Sequence, residues 1–112
     1  MRRRKDNMSL NSESSAHFQN AIQEKEVMLV DFSTKWCPPC KKLVPILEEL
    51  EQEADGRLTV LQVDCDELPE VASKYSIMSA PTVIMFYRGE PMEKWIGLRP
   101  KSVYQAGLSR YM

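Results

Sequence analysis

From residue 14 onward, the hydrophobic residues recur at two spacings that alternate along the chain. Between Ser15 and Glu24 they stand three to four positions apart, which predicts a helix with one apolar face. The next segment, VMLVDF, runs from Val27 to Phe32; it is too short for a helix and is apolar on both faces. This pattern is typical of a strand inside a sheet, and Asp31 is its one charged residue.

A second helix and a second strand follow. From Pro39 onward, the segment PCKKLVPILEELEQEA places leucine and isoleucine at helical spacing with glutamates on the other side, and Pro45 should kink this helix. Asp55-Gly56 ends it, and RLTVLQVDC has enough β-branched residues for another buried strand. Strand, helix and strand in this order predict a parallel pair joined by a right-handed crossover.

The C-terminal part predicts a hairpin between two helices. ELPEVASKYSI reads as a short helix with Pro69 in its first turn. Strands at Thr82–Tyr87 and Pro91–Ile96 are joined by a tight turn at 88–90, so they are antiparallel and the sheet is mixed. The final segment, RPKSVYQAGLSRYM, has the spacing of a helix that covers the sheet.

The expected architecture is one α/β domain with a central mixed sheet of four or five strands and helices on both faces. We assign residues 14–112 to this domain and residues 1–13 to a basic and polar N-terminal tail that is flexible. At 112 residues the chain has the commonest size of a single domain.

Charge and hydropathy argue against two classes of partner. The 15 basic and 16 acidic residues leave a net charge of −1, which does not favour nucleic-acid binding. The basic cluster Arg2–Lys5 is followed by the polar stretch DNMSLNSESSAHFQN and not by the apolar run of an export signal, and no segment is apolar enough to span a membrane. We therefore expect a cytoplasmic protein with no membrane or nucleic-acid partner.

The stretch KWCPPCKK carries the chemistry of the chain. Cys37 and Cys40 stand three positions apart at the start of a predicted helix, where free backbone N–H groups and the helix dipole favour a thiolate. We expect Cys37 to be exposed and to attack a substrate disulfide, and Cys40 to be covered and to resolve the mixed disulfide. Pro38 and Pro39 hold the turn between them stiff.

Two other interpretations of the cysteine pair remain open, namely a zinc half-site and a pair of inert buried thiols. Zinc takes about four ligands, usually in two close pairs, and the other candidates, Cys65 and His17, are far apart in the sequence. A CxxC motif beside a strand, helix and strand favours redox chemistry. Cys65 itself is expected to be a buried free cysteine on the second strand, with a pKa raised by Asp64 and Asp66.

At the level of motifs, the segment from Val27 to Leu98 resembles the thioredoxin family. Three elements carry the likeness: the Val-Asp-Phe strand ahead of Trp-Cys-x-Pro-Cys-Lys, the Lys74-Tyr75-x-Ile77 step, and Pro81-Thr82 followed by an apolar strand and a glycine turn. The resemblance implies a thioredoxin fold and a monomeric protein-disulfide reductase. Such a protein needs no cofactor or metal, and it takes its electrons from a flavin-dependent thioredoxin reductase.

The resemblance also implies roles for single residues. Asp31 matches the family's buried aspartate, which exchanges protons with Cys40, and burial should raise its pKa. Pro81 matches the cis-proline that faces the cysteines, and Ala80 before it would offer its backbone to the substrate. Sequence alone does not show whether the Ala80–Pro81 bond is cis.

A substrate-binding rim is implied around the cysteines, with Ile77 and Ile96 equally well explained as ordinary core residues. The residues assigned to it are Trp36, Pro38, Pro39, Ile77, Ala80, Ile96 and Gly97.

The chain departs from the family pattern at four places. Pro38-Pro39 replaces the commoner Gly-Pro pair and, having no cation to favour the thiolate, suggests a reductant. Gln62 stands where many members have a lysine near the buried aspartate, and Ser33 where they often have a second tryptophan. The family's first strand is represented only by the weak segment NMSLN.

Two alternative functions remain at this point. One is a specialised reductant for exported proteins or cytochrome maturation, of a membrane-tethered type that shares the Pro-Pro pair. The other is a binding module that uses the fold without catalysis.

Overall fold

The protein is described by a computed structural model that covers residues 10–11 and 14–112. Five strands and four helices lie within this part of the chain. In order they are β1 (Leu10–Asn11), α1 (Ser15–Glu24), β2 (Val27–Ser33), α2 (Pro38–Ala54), β3 (Thr59–Asp64), α3 (Pro69–Lys74), β4 (Thr82–Tyr87), β5 (Glu90–Ile96) and α4 (Lys101–Leu108).

The strands form one sheet in the order β1-β3-β2-β4-β5. The pairs β1–β3 and β2–β3 are parallel, whereas β2–β4 and β4–β5 are antiparallel. This arrangement confirms the predicted mixed sheet. Strand β2 is central and fully buried, as its apolar pattern, interrupted only at Asp31, predicted.

Each face of the sheet has its own hydrophobic core, because alternate residues of a strand point to opposite faces. One core joins the sheet to α2 and α4, and the other joins it to α1 and α3. The second core includes an aromatic group in which the Phe18 ring meets those of Phe32, Tyr75 and Phe86. Helices on both faces are therefore confirmed.

Several predicted boundaries agree closely with the observed ones. Helix α1 has the predicted ends, and the Ser14 side chain accepts a hydrogen bond from the His17 N–H at its start. Strand β5 begins one residue earlier than predicted. The reason is a two-residue turn in which Arg88 and Gly89 both have positive φ, a geometry that fits the twist of a hairpin.

The sheet extends into the segment that the sequence analysis assigned to the tail. Leu10 and Asn11 pair in parallel with Leu61 and Gln62 of β3, so the weak strand signal in NMSLN corresponds to a strand. Because this strand has only two residues, the hydrophobic periodicity of the sequence gives almost no signal for it. The basic cluster Arg2–Lys5 lies outside the described residues.

None of the helices within the described residues is both long enough and apolar enough to cross a membrane.

Candidate active site

The cysteine pair lies at the N-terminus of α2. Cys37 is the N-cap and Pro38 and Pro39 fill the first turn, where a missing N–H costs little. The two cysteines form a disulfide with Cα atoms 5.2 Å apart. The Cys40 N–H donates a hydrogen bond of 3.2 Å to the Cys37 sulfur, so a free helix-terminal donor already points at the atom that would carry the thiolate.

The two cysteine residues differ in exposure in the predicted direction. Cys40 is 3% exposed. Cys37 is half-buried, whereas the prediction was that it is exposed. Pro38 and Pro39 are both exposed beside it. The Cys37 sulfur lies 3.7 Å from the carbonyl oxygen of Ala80, and this neighbour from a distant part of the chain covers it partly.

Asp31 is completely buried in β2, on the sheet face that carries α2. Neither carboxylate oxygen has a hydrogen-bond partner among the described residues. Burial raises its pKa from 3.8 to about 7, because the charged form is poorly solvated. This burial excludes the alternative interpretation that Asp31 is an exposed aspartate at the end of a strand. Asp31 is poised to hold or release a proton near neutral pH.

The residues beside Asp31 share a cavity with Cys40. Gln62 is its register partner on β3, and Ser33 follows it on the same face of β2. Ser33, Gln62 and Cys40 line one cavity of about 370 Å³. The Gln62 amide donates to the Ser33 hydroxyl at 3.3 Å, so position 62, where many family members have a lysine, supplies no cation to Asp31.

The loop before β4 faces the cysteines. The Ala80–Pro81 peptide bond is cis, in agreement with the implication of the resemblance. The Gly97 N–H donates to the Pro81 carbonyl at 2.8 Å, and Gly97 has a φ of 85°, which favours glycine. The half-buried Ala80 directs its carbonyl toward Cys37 and thus leaves a backbone edge beside the disulfide.

Exposed apolar side chains surround this edge. Trp36 is 87% exposed, and Ile96 is 54% exposed at the end of β5, where it pairs with Thr82 next to Pro81. Ile77 differs, because it is half-buried and packs against the second core. Of the two isoleucines, Ile96 therefore fits the rim and Ile77 fits the core.

Sequence reasoning missed two members of this surface. Met78, two residues before Ala80, is 91% exposed, and Leu98 follows Gly97 and is also exposed. A large apolar residue directly before the small residues Ser79 and Ala80 was the available signal at Met78. We call Trp36, Met78, Ile96 and Leu98 the apolar rim.

Cys65 lies outside this site. It follows the end of β3, is half-buried and packs against the second core. Burial, then Asp64, Asp66 and Asp31, raise its pKa to about 11. Within the described residues, no group of three or more His, Cys, Asp or Glu side chains is placed to hold a metal ion.

A dithiol–disulfide pair at a helix start, with a buried acid behind it and a backbone edge in front, defines a thiol–disulfide oxidoreductase. Comparison with known proteins agrees. The sequence profile of the family named Thioredoxin matches residues 9–110. The chain belongs to the thioredoxin family, and its activity is that of a protein-disulfide reductase.

Individual relatives support the same assignment. A thioredoxin of Staphylococcus epidermidis is 41% identical over 105 residues, which cover 94% of this chain and 100% of the relative. Among solved structures, a mutant thioredoxin from Halobacterium salinarum has a TM-score of 0.84 at 28% identity, covering 91% of this chain and 88% of its own. Plasmodium falciparum thioredoxin has a TM-score of 0.83 at 30% identity, with 92% and 99% covered.

Proposed function

We propose that Cys37 is the nucleophile and Cys40 the resolving thiol of the reductase. The reduced Cys37 thiolate attacks a substrate disulfide, which forms a mixed disulfide and releases one substrate thiolate. Cys40 then attacks the Cys37 sulfur, which releases the second thiolate and leaves the Cys37–Cys40 disulfide. Two electrons pass to the substrate. The difference in exposure between the residues Cys37 and Cys40 is the observation that carries these roles.

Asp31 accepts the proton of Cys40 in this scheme. A thiol must lose its proton before it attacks, and Asp31 is buried behind Cys40 with a pKa of about 7. An acid with that pKa is ionised in a useful fraction near neutral pH, so it is matched to the task.

The substrate chain is held by backbone contacts beside Ala80 and Pro81 and by the surrounding surface. The carbonyl of Ala80 lies close to the attacked sulfur, which suits an extended substrate segment added along this edge. Trp36, Pro38, Pro39, Ile96 and Gly97 surround it, and Ile77 supports it from the core side. Contacts to backbone and apolar surface favour many substrates over one.

The family implies disulfide substrates and a thioredoxin reductase as electron donor. We further propose that the protein acts as a cytoplasmic monomer without membrane or nucleic-acid partners, and that residues 14–112 form its folded domain together with β1. The near-neutral net charge supports the part of this proposal that concerns nucleic acid. The pairing of β1 with β3 supports the inclusion of that strand in the domain.

The two cysteines can be separated by single substitutions. We expect Cys37→Ser to abolish reduction of a protein disulfide, and Cys40→Ser to accumulate the mixed disulfide because nothing resolves it. The measurement is turnover of a protein disulfide with a thioredoxin reductase and NADPH, together with mass spectrometry of the trapped adduct. Cys65→Ser is the matched control and should retain full turnover.

The same assay distinguishes the alternatives. Full turnover by Cys37→Ser would remove the proposed roles. A wild-type protein that no thioredoxin reductase can reduce would favour a specialised reductant. Unchanged partner binding without any disulfide reduction, in a Cys37→Ser/Cys40→Ser variant and in wild type alike, would favour a binding module.

A further inference from the structure

Three buried side-chain oxygens lack a hydrogen-bond partner among the described residues, and they belong to only two residues. They are the two carboxylate oxygens of Asp31 and the hydroxyl oxygen of Tyr104. Buried polar atoms of folded proteins are nearly always paired with protein or ordered water. Two unpartnered groups in the same core are therefore a feature that needs an explanation.

The topology places these two residues on one face of the sheet. Asp31 pairs with Val83 of β4, and Val83 pairs with Trp95 of β5, so all three side chains point to the face that α2 and α4 cover. Tyr104, in the first turns of α4, sets its ring edge-on to Trp95 with 5.2 Å between centroids. Its side chain is completely buried.

We propose that Tyr104 is a positioning residue for Asp31, with its hydroxyl donating a hydrogen bond to the ionised carboxylate through one buried water. This inference rests on the proton-transfer role proposed for Asp31. It adds a donor from α4 on the side of Asp31 opposite to β3.

The electrostatics of the pair agree with this direction of donation. Burial raises the pKa of Tyr104, and the charge of Asp31 raises it further. The backbone of Arg99 lowers this pKa, although its contact with the Tyr104 hydroxyl does not have the geometry of a hydrogen bond. Tyr104 therefore stays protonated and can only donate to an anion. A donor favours the charged carboxylate, so it restrains the rise in the Asp31 pKa that burial causes.

The other groups near Asp31 do not replace this donor. Gln62 on β3 directs its amide to Ser33, and Val83 on β4 has no polar side chain. On the α2 side, Cys40 and Lys41 line the cavity that Gln62 and Ser33 share. The charge of Asp31 also reaches Cys65, just after the end of β3. Tyr104 is thus a buried side-chain donor on the α4 side of Asp31.

The test is the substitution Tyr104→Phe, which removes the hydroxyl and keeps the ring against Trp95. The pKa of Asp31 is measured directly in the oxidised protein by NMR of the ¹³C-labelled side-chain carboxyl. We expect it to rise by about one pH unit, a tenfold change in the ionisation constant. The pH midpoint for resolution of the mixed disulfide by Cys40 should rise by the same amount.

Tyr111→Phe is the matched control. Tyr111 stacks on Tyr87, which pairs with Val27 at the end of β2 away from Asp31. This variant should leave the Asp31 pKa unchanged. A mere loss of packing or stability in Tyr104→Phe would slow reactions without moving a pH midpoint.

An Asp31 pKa in Tyr104→Phe equal to that of wild type overturns the inference. The proposed role of Asp31 is tested apart from it, because Asp31→Asn should abolish the pH midpoint of the resolution step near 7. A resolution profile that Asp31→Asn leaves unchanged removes the proton-transfer role, while the NMR titration still decides whether Tyr104 interacts with Asp31.

Discussion

At the scale of single residues, the site combines an exposed apolar surface with a buried acid. Exposed apolar surface contributes to binding only when a partner covers it, so the apolar rim can serve the docking of a substrate protein. Removal from water makes the ionised form of a carboxyl group unfavourable, so the buried Asp31 carboxyl is suited to proton transfer. The helix start between the two holds the sulfur atoms that react.

Met78 is the residue whose contribution is simplest to measure. Because its side chain is 91% exposed, Met78→Ser should change the stability of the free protein by less than about 0.5 kcal/mol. Loss of about 1 kcal/mol of apolar docking should raise KM for a protein disulfide about fivefold. The value of kcat, and the rate with a small aliphatic disulfide that does not span the rim, should stay near wild type.

Met92→Ser is the control for this substitution. Met92 is also exposed, but it lies near the start of β5, whereas Ile96 of the apolar rim is at the end of that strand. Equal KM values for wild type and Met78→Ser would show that the rim is not used at this position.

At the scale of elements, helix α4 is held against the sheet by a close approach at Gly107. A Cβ atom added there would lie 2.5 Å from Cζ2 of Trp95 and 2.9 Å from Cη2. The Trp95 ring is itself held edge-on to Tyr104, so it has little freedom to move. The absence of a side chain at Gly107 therefore sets the distance between α4 and β5.

Gly107→Ala tests this contact. Alanine favours a helix by about 1 kcal/mol over glycine, but overpacking against Trp95 should cost about 1–3 kcal/mol, and we expect a net loss. Urea denaturation gives the free energy of unfolding. In a Trp95→Phe background the clashing atoms are gone, so the same substitution should become neutral or stabilising. A wild-type or higher stability of Gly107→Ala alone would show that α4 shifts freely.

At the scale of the whole molecule, the buried acid makes stability depend on pH. The folded protein holds the Asp31 proton up to about pH 7, whereas the unfolded chain releases it near 3.8. Between these values the folded state binds more protons, so the contribution of Asp31 to stability is present at low pH and is lost as pH rises. Above about pH 7 this contribution of Asp31 to the stability of the folded state is completely lost.

Asp31→Asn should therefore stabilise the oxidised protein at high pH only. The gain over wild type should be small at pH 4, grow through pH 7 and reach about 2–4 kcal/mol at pH 8. The measurement is urea denaturation at several pH values. Asp66→Asn, at an exposed aspartate, is the control and should keep the pH dependence of wild type. A gain from Asp31→Asn that is equal at pH 4 and pH 8 would contradict the raised pKa.

Much of the fold followed from local pattern. The bounds of α1, the central position of β2 and the hairpin were predicted because periodicity, caps and turn residues are properties of neighbours in sequence. The two-residue strand β1 gave almost no such signal, because its pairing with β3 depends on residues about 50 positions away. Its recognition required the assembled sheet.

The features of the site likewise fall into two groups, those that follow from local sequence and those that depend on the tertiary structure. The cysteine spacing, the charged residue in an apolar strand and the proline pair are local, and by themselves they placed a cysteine pair at a helix start and favoured redox chemistry there. Only the tertiary structure decided that Ala80 covers Cys37, that Met78 and Leu98 belong with Trp36, and that Tyr104 shares the core of Asp31. These relations arise from packing between distant segments, and packing is what the sequence pattern does not record.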